Sequence, residues 1–354
     1  MACLVACFAP APARAQFKNG NQTVLLELPR VSQRAVLTQR IGLTDITITY
    51  HRPHGKGRKV FGNLVSYDRV WRAGANDNTV IEFTHPVTVE GQPLGAGRYG
   101  LHMVPGEKEW VVIFSTNSSS WGSFYYDKKE DALRVTVKPR PIAMRDTLRY
   151  EFDELTPESA VIAMEWEQVA VPFKIGVGSK EITLTALRNQ MRHLAGYKPE
   201  TYYEAAMYCL DNDFNYDEAL RWVEQAIESN EARFENLELK SQLLERLGRS
   251  KEAVAFHAEA LSLATPQQKY MLGDRFLREG KLDEAEGVFT EVAKAHPEAF
   301  MHFYGLARVH VKRGNREAAR RSLEQAMEHA PTPQHKSAMK RLLERLANGQ
   351  TIDG

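Results

Sequence analysis

The feature that most constrains the fold of this chain is a change of hydrophobic rhythm near Gly176. From about residue 36 to residue 175, apolar and polar residues alternate between Gly, Pro and Asn punctuation, which is the period of β-strands. Beyond Gly176 the apolar residues recur at helical spacing. The alternation predicts about eight or nine short strands, and therefore an antiparallel β-sandwich or jelly roll followed by an all-α part. The clearest strands are Ile46–Tyr50, Thr79–Phe83, Trp110–Phe114, Leu133–Val137 and Ala160–Trp166.

An internal repeat fills the helical part. Ala219, Ala253, Ala285 and Ala319 are equivalent at spacings of 34, 32 and 34 residues, which is the period of tetratricopeptide repeats. In such repeats small residues let paired helices approach closely, a glycine ends one helix, and a proline breaks the chain before the next. The third unit resembles that repeat most fully, through Leu272, Gly273, Phe276, Gly280, Ala285, Phe289 and Pro297. The resemblance implies a helical solenoid with a concave groove for a protein or peptide partner.

The two patterns divide the chain into consecutive segments. We expect an export signal in 1–15, an N-terminal segment in 16–35, the β-domain in 36–175, a linker with the first helix in 176–199, the repeats in 200–331, and a cap helix with a tail in 332–354. The domain boundary is expected where the rhythm changes, close to the short Gly176–Ser179 junction.

Charge and hydropathy exclude some partners. The 46 basic and 45 acidic residues nearly cancel, so the chain has no electrostatic footprint for nucleic acid. No stretch after the first residues reaches the roughly 18 consecutive apolar residues that span a bilayer, so we expect no transmembrane segment.

The first residues predict export. A short apolar run ends in Ala13-Arg14-Ala15, which fits a secretory cleavage site before Gln16. No positive charge precedes the run, so we expect the true start to lie upstream. Leu4-Val5-Ala6-Cys7 offers an alternative, a lipid-anchored N-terminus at Cys7. Both routes lead to a periplasmic or secreted protein, and cleavage before Gln16 leaves Cys209 as the sole cysteine, which excludes an internal disulfide and a cysteine-based metal site.

Several motifs of the β-domain resemble a known bacterial family, number 2911 among the domains of unknown function. They are Tyr50-His51-Arg52-Pro53, Lys56-Gly57-Arg58, Phe61-Gly62, the run from Val70 to Asn76 with Thr79, Gly95–Tyr99 with Pro105, and Trp121-Gly122. The resemblance covers about residues 25–175. It implies an exported β-sandwich, often followed by helices, and it implies no particular activity.

Basic and aromatic side chains of the β-domain are candidates for binding a polar or anionic ligand. Guanidinium groups present paired donors that suit carboxylate or phosphate, and a tryptophan face can stack on a sugar. The alternative is structural: the basic loop is solvated, Arg72 and Asn76 hold turns together, and the aromatic rings fill the core. The candidates are Arg52, Lys56, Arg58, Trp71, Arg72, Asn76, His102 and Trp121, with His54 and Lys59 in the same basic loop.

The evidence for catalysis or metal binding is weaker. His51 and His54 are three residues apart, so on a strand their side chains point to opposite faces unless the chain turns at Pro53. His85 or His102 could be a further metal ligand, but the sequence spacing does not show that either lies near them. No nucleophile elbow, phosphate-binding loop or zinc-helix motif is present. We therefore expect no cofactor and no metal, and a non-enzymatic envelope protein that binds a protein partner through its repeats and a ligand through its β-domain. The alternative is an envelope enzyme or carbohydrate-binding module with its site in the β-domain.

Overall fold

A computed structural model describes residues 29–230 and 232–352. The chain divides into two compact units, one up to Thr183 and one from Leu184, which are named the β-unit and the helical unit. The predicted cleavage site and Cys7 lie outside the described residues. No described helix has the length and apolar character that crossing a membrane requires.

The β-unit contains two antiparallel sheets. The six-stranded sheet has the order β1-β2-β3-β6-β7-β8 and the four-stranded sheet the order β5-β4-β10-β9. Every pairing between neighbouring strands is antiparallel. The strands are β1 Gln33–Ile41, β2 Thr44–Arg52, β3 Thr79–Phe83, β4 Val87–Val89, β5 Gln92–Leu94, β6 Gly97–Val104, β7 Trp110–Ser115, β8 Asp131–Val137, β9 Arg140–Thr156 and β10 Ser159–Val177.

One hydrophobic core joins the two sheets. Trp110 and Phe114 come from the six-stranded sheet, Trp166 and Phe173 come from the four-stranded sheet, and all four are at most 1 % exposed. Phe61, from the loop after β2, meets the Trp110 ring edge-on at 4.9 Å between centroids. Each buried aromatic ring removes a large apolar area from water, which stabilises such a core. The alternation seen in the sequence is therefore the alternation between this core and the outside of each sheet.

The strand lengths differ from expectation. The described residues form ten strands instead of eight or nine, and β9 and β10 are not short, with 17 and 19 residues. The sequence pattern does not indicate β9, because only Leu148 and Tyr150 are buried along it and its apolar and polar residues therefore do not alternate. β10 tolerates its length because it bulges at Glu167, which has a φ of 56° and whose carboxylate accepts the backbone N–H of Phe61 at 3.2 Å.

The helical unit is a series of antiparallel helix pairs. After α1 the pairs are α2 with α3, α4 with α5, α6 with α7, and α8 with α9, and α10 packs on α9. The helices are α1 Ser179–Gln190, α2 Pro199–Asp211, α3 Tyr216–Asn230, α4 Phe234–Arg246, α5 Ser250–Leu263, α6 Pro266–Arg278, α7 Leu282–Ala295, α8 Phe300–Lys312, α9 Arg316–Glu328 and α10 Pro333–Ala347.

The repeat predicted from the alanines is confirmed. Ala219, Ala253, Ala285 and Ala319 each lie in the second helix of a pair and are at most 1 % exposed. The first helices of the last three pairs are followed by Gly248, Gly280 and Gly314, whose φ of 75° to 78° is the left-handed conformation that ends a helix. The predicted fold class, an antiparallel β part followed by an α-helical repeat part, is what the structure shows.

Candidate functional site

Arg52 and Arg58, two of the predicted ligand-binding residues, are bound to backbone. Arg52 Nε donates to the carbonyl oxygen of Leu148 at 3.1 Å. Arg58 Nε donates to the carbonyl of Gly55 at 2.9 Å, and its Nη2 donates to that of His54 at 3.0 Å. Both guanidinium groups thereby fix the conformation of the basic loop and its position against β9.

Lys56 and His54 lie in the same loop. Lys56 is exposed, and its backbone N–H donates to Asp146 Oδ1 at 2.6 Å. His54 Nδ1 lies 2.8 Å from the hydroxyl of Thr147 and 3.6 Å from Asp146 Oδ2. Among the described residues, no three His, Cys, Asp or Glu side chains come together as a metal site.

Trp71 and Asn76 also have structural partners. The Trp71 ring stacks on Trp166, with centroids 6.0 Å apart and planes 23° apart, and its Nε1 donates to the carbonyl of Gly74 at 3.2 Å. Asn76 Nδ2 donates to the carbonyl of Ser32 at 3.2 Å. These contacts agree with the structural alternative, in which the ring of Trp71 packs in the core and Asn76 holds a turn together.

Arg72, His102 and Trp121, in contrast, meet at one segment, the aromatic loop, which we define as residues 117–127. A Cβ placed on Gly122 would lie 3.5 Å from Arg72 Nη1, so the backbone of the loop borders this guanidinium. His102 Nδ1 lies 3.0 Å from the hydroxyl of Ser123 in the same loop. Trp121 is 53 % exposed beside them.

The aromatic loop covers the outer face of the six-stranded sheet, the face opposite the core. His102 belongs to this face because its neighbours in β6, Leu101 and Met103, are core residues. Asn78 anchors the start of the loop, since its backbone N–H donates to the carbonyl of Ser120 at 3.3 Å. In the orientation that its neighbours require, the amide nitrogen of Asn78 also reaches the carbonyl oxygens of Ser120 and Gly122, at 3.2 and 2.5 Å.

A second anchor holds the end of the loop. The Tyr126 hydroxyl donates to the Asp131 carboxylate at 2.7 and 2.9 Å, and Arg134 Nη1 donates to both groups at 2.8 and 2.7 Å. Burial and the bond to Asp131 raise the pKa of Tyr126 to about 12. The tyrosine therefore stays protonated and remains a donor at neutral pH.

Ser123, His102 and Asp131 do not form the relay of a hydrolase. Burial lowers the pKa of His102 to about 4, with Asp131 opposing the shift, so the imidazole is neutral and a weak base at pH 7. The described hydrogen bonds of the Asp131 side chain go to Tyr126 and Arg134 rather than to the imidazole that a triad carboxylate orients. This geometry favours a structural lock on the loop.

The helical unit carries a separate candidate site, a cleft of about 260 Å³ along the first helices of three consecutive pairs. Apolar atoms supply most of its lining surface, and Met271, 62 % exposed, is the most open of the apolar residues that line it. The lining comes from α2 with Tyr203 and Met207, from α4 with Phe234, Glu235, Glu238, Leu239 and Gln242, and from α6 with Gln268, Met271, Leu272, Arg275 and Arg278.

A buried charged cluster lies in this cleft. The Glu238 side chain is 7 % exposed; His257 Nδ1 donates to its carboxylate at 2.7 Å and Arg275 Nη2 donates to the other oxygen. Burial works against the charged form, but the hydrogen bonds from His257 and Arg275 outweigh it and hold the pKa of Glu238 below its ordinary value. The cluster fixes the Arg275 guanidinium at the edge of the apolar lining.

A second cleft, of about 540 Å³, continues from the first and shares Met207, Gln242 and Arg275 with it. We call the two clefts together the helical groove. The additional lining carries both signs of charge, with carboxylates in excess: Asp211, Asp213, Glu245 and Glu279 against Arg246 and Lys281. Arg246 pairs with Asp213 at 3.0 Å and Lys281 with Glu279 at 2.9 Å, so the excess is Asp211 and Glu245. The groove therefore combines an apolar floor with an acidic end.

The sequence predicted a groove but none of these lining residues. The sequence signal that could indicate them is a spacing of four residues along the first helix of a unit, which places two side chains on one exposed helix face. Tyr203 and Met207 have this spacing, as do Met271 and Arg275. In the β-unit, Asn78 was missed because Asn76, two residues earlier, carries the same chemistry.

The fold defines a two-part protein, an antiparallel β-unit followed by tetratricopeptide repeats. Residues 32–175 match the model of the family described as "Protein of unknown function (DUF2911)", and residues 270–335 match a model of the tetratricopeptide repeat. Both resemblances expected from the sequence, and their order along the chain, are thereby confirmed. Tetratricopeptide repeats imply a protein or peptide partner.

Comparison with individual proteins adds only distant similarities. No curated protein matches the chain. Among solved structures, the chain is similar to YrrB, described as a repeat protein with an unusual peptide-binding site, at 22 % identity over 45 % of this chain and 86 % of that chain, with a TM-score of 0.28. It is also similar to the C-terminal part of a repeat-containing protein from Cytophaga hutchinsonii, at 16 % identity over 43 % and 60 % of the two chains, with a TM-score of 0.31.

Proposed function

We propose that this chain is an exported, non-enzymatic binding protein whose helical groove holds an extended segment of a partner protein. The observation that carries the proposal is the continuous groove along α2, α4 and α6, with an apolar floor and an acidic end. The occupant that fits is a peptide with an apolar side chain, which buries the floor, followed by lysine or arginine, which meets the carboxylates.

The cluster around Glu238 supports this choice. Arg275 Nε is buried and makes no hydrogen bond among the described residues; Glu279 Oε1 lies 3.7 Å from it, beyond hydrogen-bond distance. A carbonyl oxygen of a bound peptide would supply the missing acceptor, because backbone carbonyls are the acceptors that an extended peptide offers regularly. Glu238 already occupies the other side of the same guanidinium, so the group is held in place before a peptide arrives.

Displayed peptide selection on the intact chain tests the groove. We expect the selected peptides to share an apolar residue followed by Lys or Arg, and to bind Met271→Glu at least about tenfold more weakly, equivalent to about 1.4 kcal/mol. The physical reason is that the new carboxylate must be desolvated against the apolar floor. Calorimetric titration of the strongest peptides measures the affinities.

Val254→Glu is the matched control. Val254, in α5, is an apolar residue that is 68 % exposed and does not line either cleft. Replacing it with glutamate therefore makes the same apolar-to-acidic change outside the groove. Equal loss of affinity in both variants, or selection of peptides that lack an apolar anchor, contradicts docking in the groove.

The β-unit, in the same proposal, binds a small polar or anionic ligand. Arg72 beside the aromatic loop supports it, together with the exposed rings of Trp121 and Phe124, which are 53 % and 74 % exposed and stack with centroids 5.7 Å apart. Rings left outside the core beside a guanidinium favour ligand contact, since the core is filled without them.

Export is the remaining part of the proposal and rests on Ala13-Arg14-Ala15. We expect the chain recovered from its native cells to begin at Gln16. N-terminal mass spectrometry measures this directly. A lipid-modified Cys7 at the N-terminus supports the anchored alternative instead, and an uncleaved N-terminus in a cytosolic fraction contradicts export by either route.

A further inference from the structure

We propose that Arg72 and His51 form a binding site for an oxyanion, the carboxylate or phosphate group of a small ligand, at the outer face of the six-stranded sheet. The inference rests on the ligand-binding part of the proposed function and gives that ligand its chemistry and its position.

The first observation is that Arg72 Nε has no hydrogen-bond acceptor among the described residues. This nitrogen is completely buried, and no ion pair within 4 Å joins Arg72 to a carboxylate in the described part of the chain. A guanidinium has five N–H donors in a planar fork, and a buried donor without an acceptor is costly. Neighbouring arginines such as Arg52 and Arg58 satisfy theirs on carbonyl oxygens, so Arg72 differs from them.

The second observation is that His51, near the end of β2, also has a buried ring nitrogen without a hydrogen-bond partner among the described residues. This nitrogen is Nδ1, and the side chain is 9 % exposed. Its Nε2 lies 3.9 Å from Asp77 Oδ2. Burial lowers the pKa of His51 despite Asp77, so the ring is neutral at pH 7 and only one of its nitrogens carries a hydrogen. The proposed site requires the tautomer in which that hydrogen is on Nδ1, which then donates to the oxyanion.

The third observation is the sign of the local charge. Arg30, Arg34 and Arg72 all act electrostatically on His51, and Arg34 pairs directly opposite it in the sheet. Asp77 is the carboxylate that acts against them, and its side chain is 58 % exposed. Asp77 also acts on Arg72. Three guanidinium groups and one exposed carboxylate therefore act on His51, an excess of positive formal charge that favours an anion over a neutral acceptor.

The fourth observation is that the backbone on both sides of Arg72 is fixed. Trp71 exchanges two backbone hydrogen bonds of 2.8 Å with Met103. The Ala73 carbonyl accepts the hydroxyls of Thr79 at 3.1 Å and Tyr150 at 2.9 Å. The Cα of Arg72 is therefore held in place, which limits the acceptors that its side chain can reach and reduces the cost of ordering it around a ligand.

Nuclear magnetic resonance of the ¹⁵N-labelled intact chain tests the site with inorganic phosphate and with acetate as separate probes. We expect the Arg72 Nε–H and His51 ring signals to shift saturably with at least one probe, but not with sodium chloride at equal ionic strength. The two arms distinguish a phosphate group from a carboxylate. Arg72→Lys keeps the charge but loses the fork, and is expected to weaken binding at least tenfold, as is His51→Gln.

Arg98→Gln is the control, because Arg98 is an exposed arginine of β6 in the same sheet and is expected to leave the titration unchanged. No saturable shift with either probe, an equal response to chloride, or unaltered affinity in Arg72→Lys overturns the site. The titration is repeated in Met271→Glu, where it is expected to be unchanged, so that failure here is separable from failure of peptide docking. Binding of an anion that leaves the Arg72 and His51 signals unmoved removes this site but not ligand binding by the β-unit.

Discussion

Replacing Phe289 with alanine is expected to lower the free energy of unfolding of the helical unit by about 4 kcal/mol. The Phe289 ring, in α7, is completely buried and packs between two glycines of first helices, Gly273 in α6 and Gly305 in α8. A Cβ built on either glycine would lie 2.7 Å from Phe289 Cζ, closer than real Cβ atoms approach a carbon. The ring therefore fills space that exists only because both neighbours lack a side chain. Urea unfolding followed by circular dichroism measures the loss.

The same packing predicts the effect of adding a methyl group. Gly305→Ala is expected to destabilise the chain by about 2 kcal/mol, because the methyl overpacks a ring that has no room to move. In the Phe289→Ala background the same change is expected to cost nothing, since the methyl enters the cavity. The coupling between the two sites is therefore the quantity to measure.

Gly287→Ala is the matched control for this cycle. Gly287 lies in α7, the same helix as Phe289, and a Cβ there meets no atom within 4 Å. We expect it to stabilise the chain by about 0.5–1 kcal/mol, the difference in helix propensity between glycine and alanine. If Gly305→Ala also stabilises, or costs the same with and without the ring, the close approach of the helices at Phe289 is wrong.

These glycines show what the sequence predicts well. A repeat of fixed period selects small residues where helices touch, so the spacing predicts a packing position for Ala285 and the resemblance to the repeat predicts one for Gly273. The side chains lining the groove face away from those contacts, and no packing rule fixes their identity. Met207 and Glu238 consequently carry no signature until the helices are placed side by side.

The β-unit shows the opposite limit. Alternation placed the strands, but which arginine would lack a partner depends on where backbone carbonyls point. Arg52 meets the carbonyl of Leu148, far along the chain, whereas Arg72 precedes a left-handed turn at Ala73, with a φ of 50°. Such long-range and turn-dependent geometry is not contained in the local pattern, which is why Trp71, Arg72 and Asn76 appeared equivalent in the sequence.

Glu238→Gln is expected to destabilise the helical unit by about 2 kcal/mol at pH 7. The carboxylate is 7 % exposed and accepts hydrogen bonds from two basic side chains, His257 and Arg275, so a neutral amide leaves both with a weaker acceptor. Glu252→Gln is the control, since Glu252 makes a bidentate bond to Arg249 but on the exposed surface, where we expect little change.

The cost of Glu238→Gln is also expected to depend on pH. The pKa of Glu238 is lower in the folded chain than its ordinary value of about 4.3, so its contribution is complete above that value and is lost as the pH falls through the folded pKa. The difference in unfolding free energy between wild type and Glu238→Gln should therefore shrink towards zero as the pH falls through the folded pKa of Glu238. A difference that does not change with pH would mean that the carboxylate is not charged in the native groove.

Because the same carboxylate holds Arg275, Glu238→Gln should also weaken binding of the selected peptides at pH 7. Calorimetric titration of this variant therefore links the stability of the cluster to the binding that we propose for the groove.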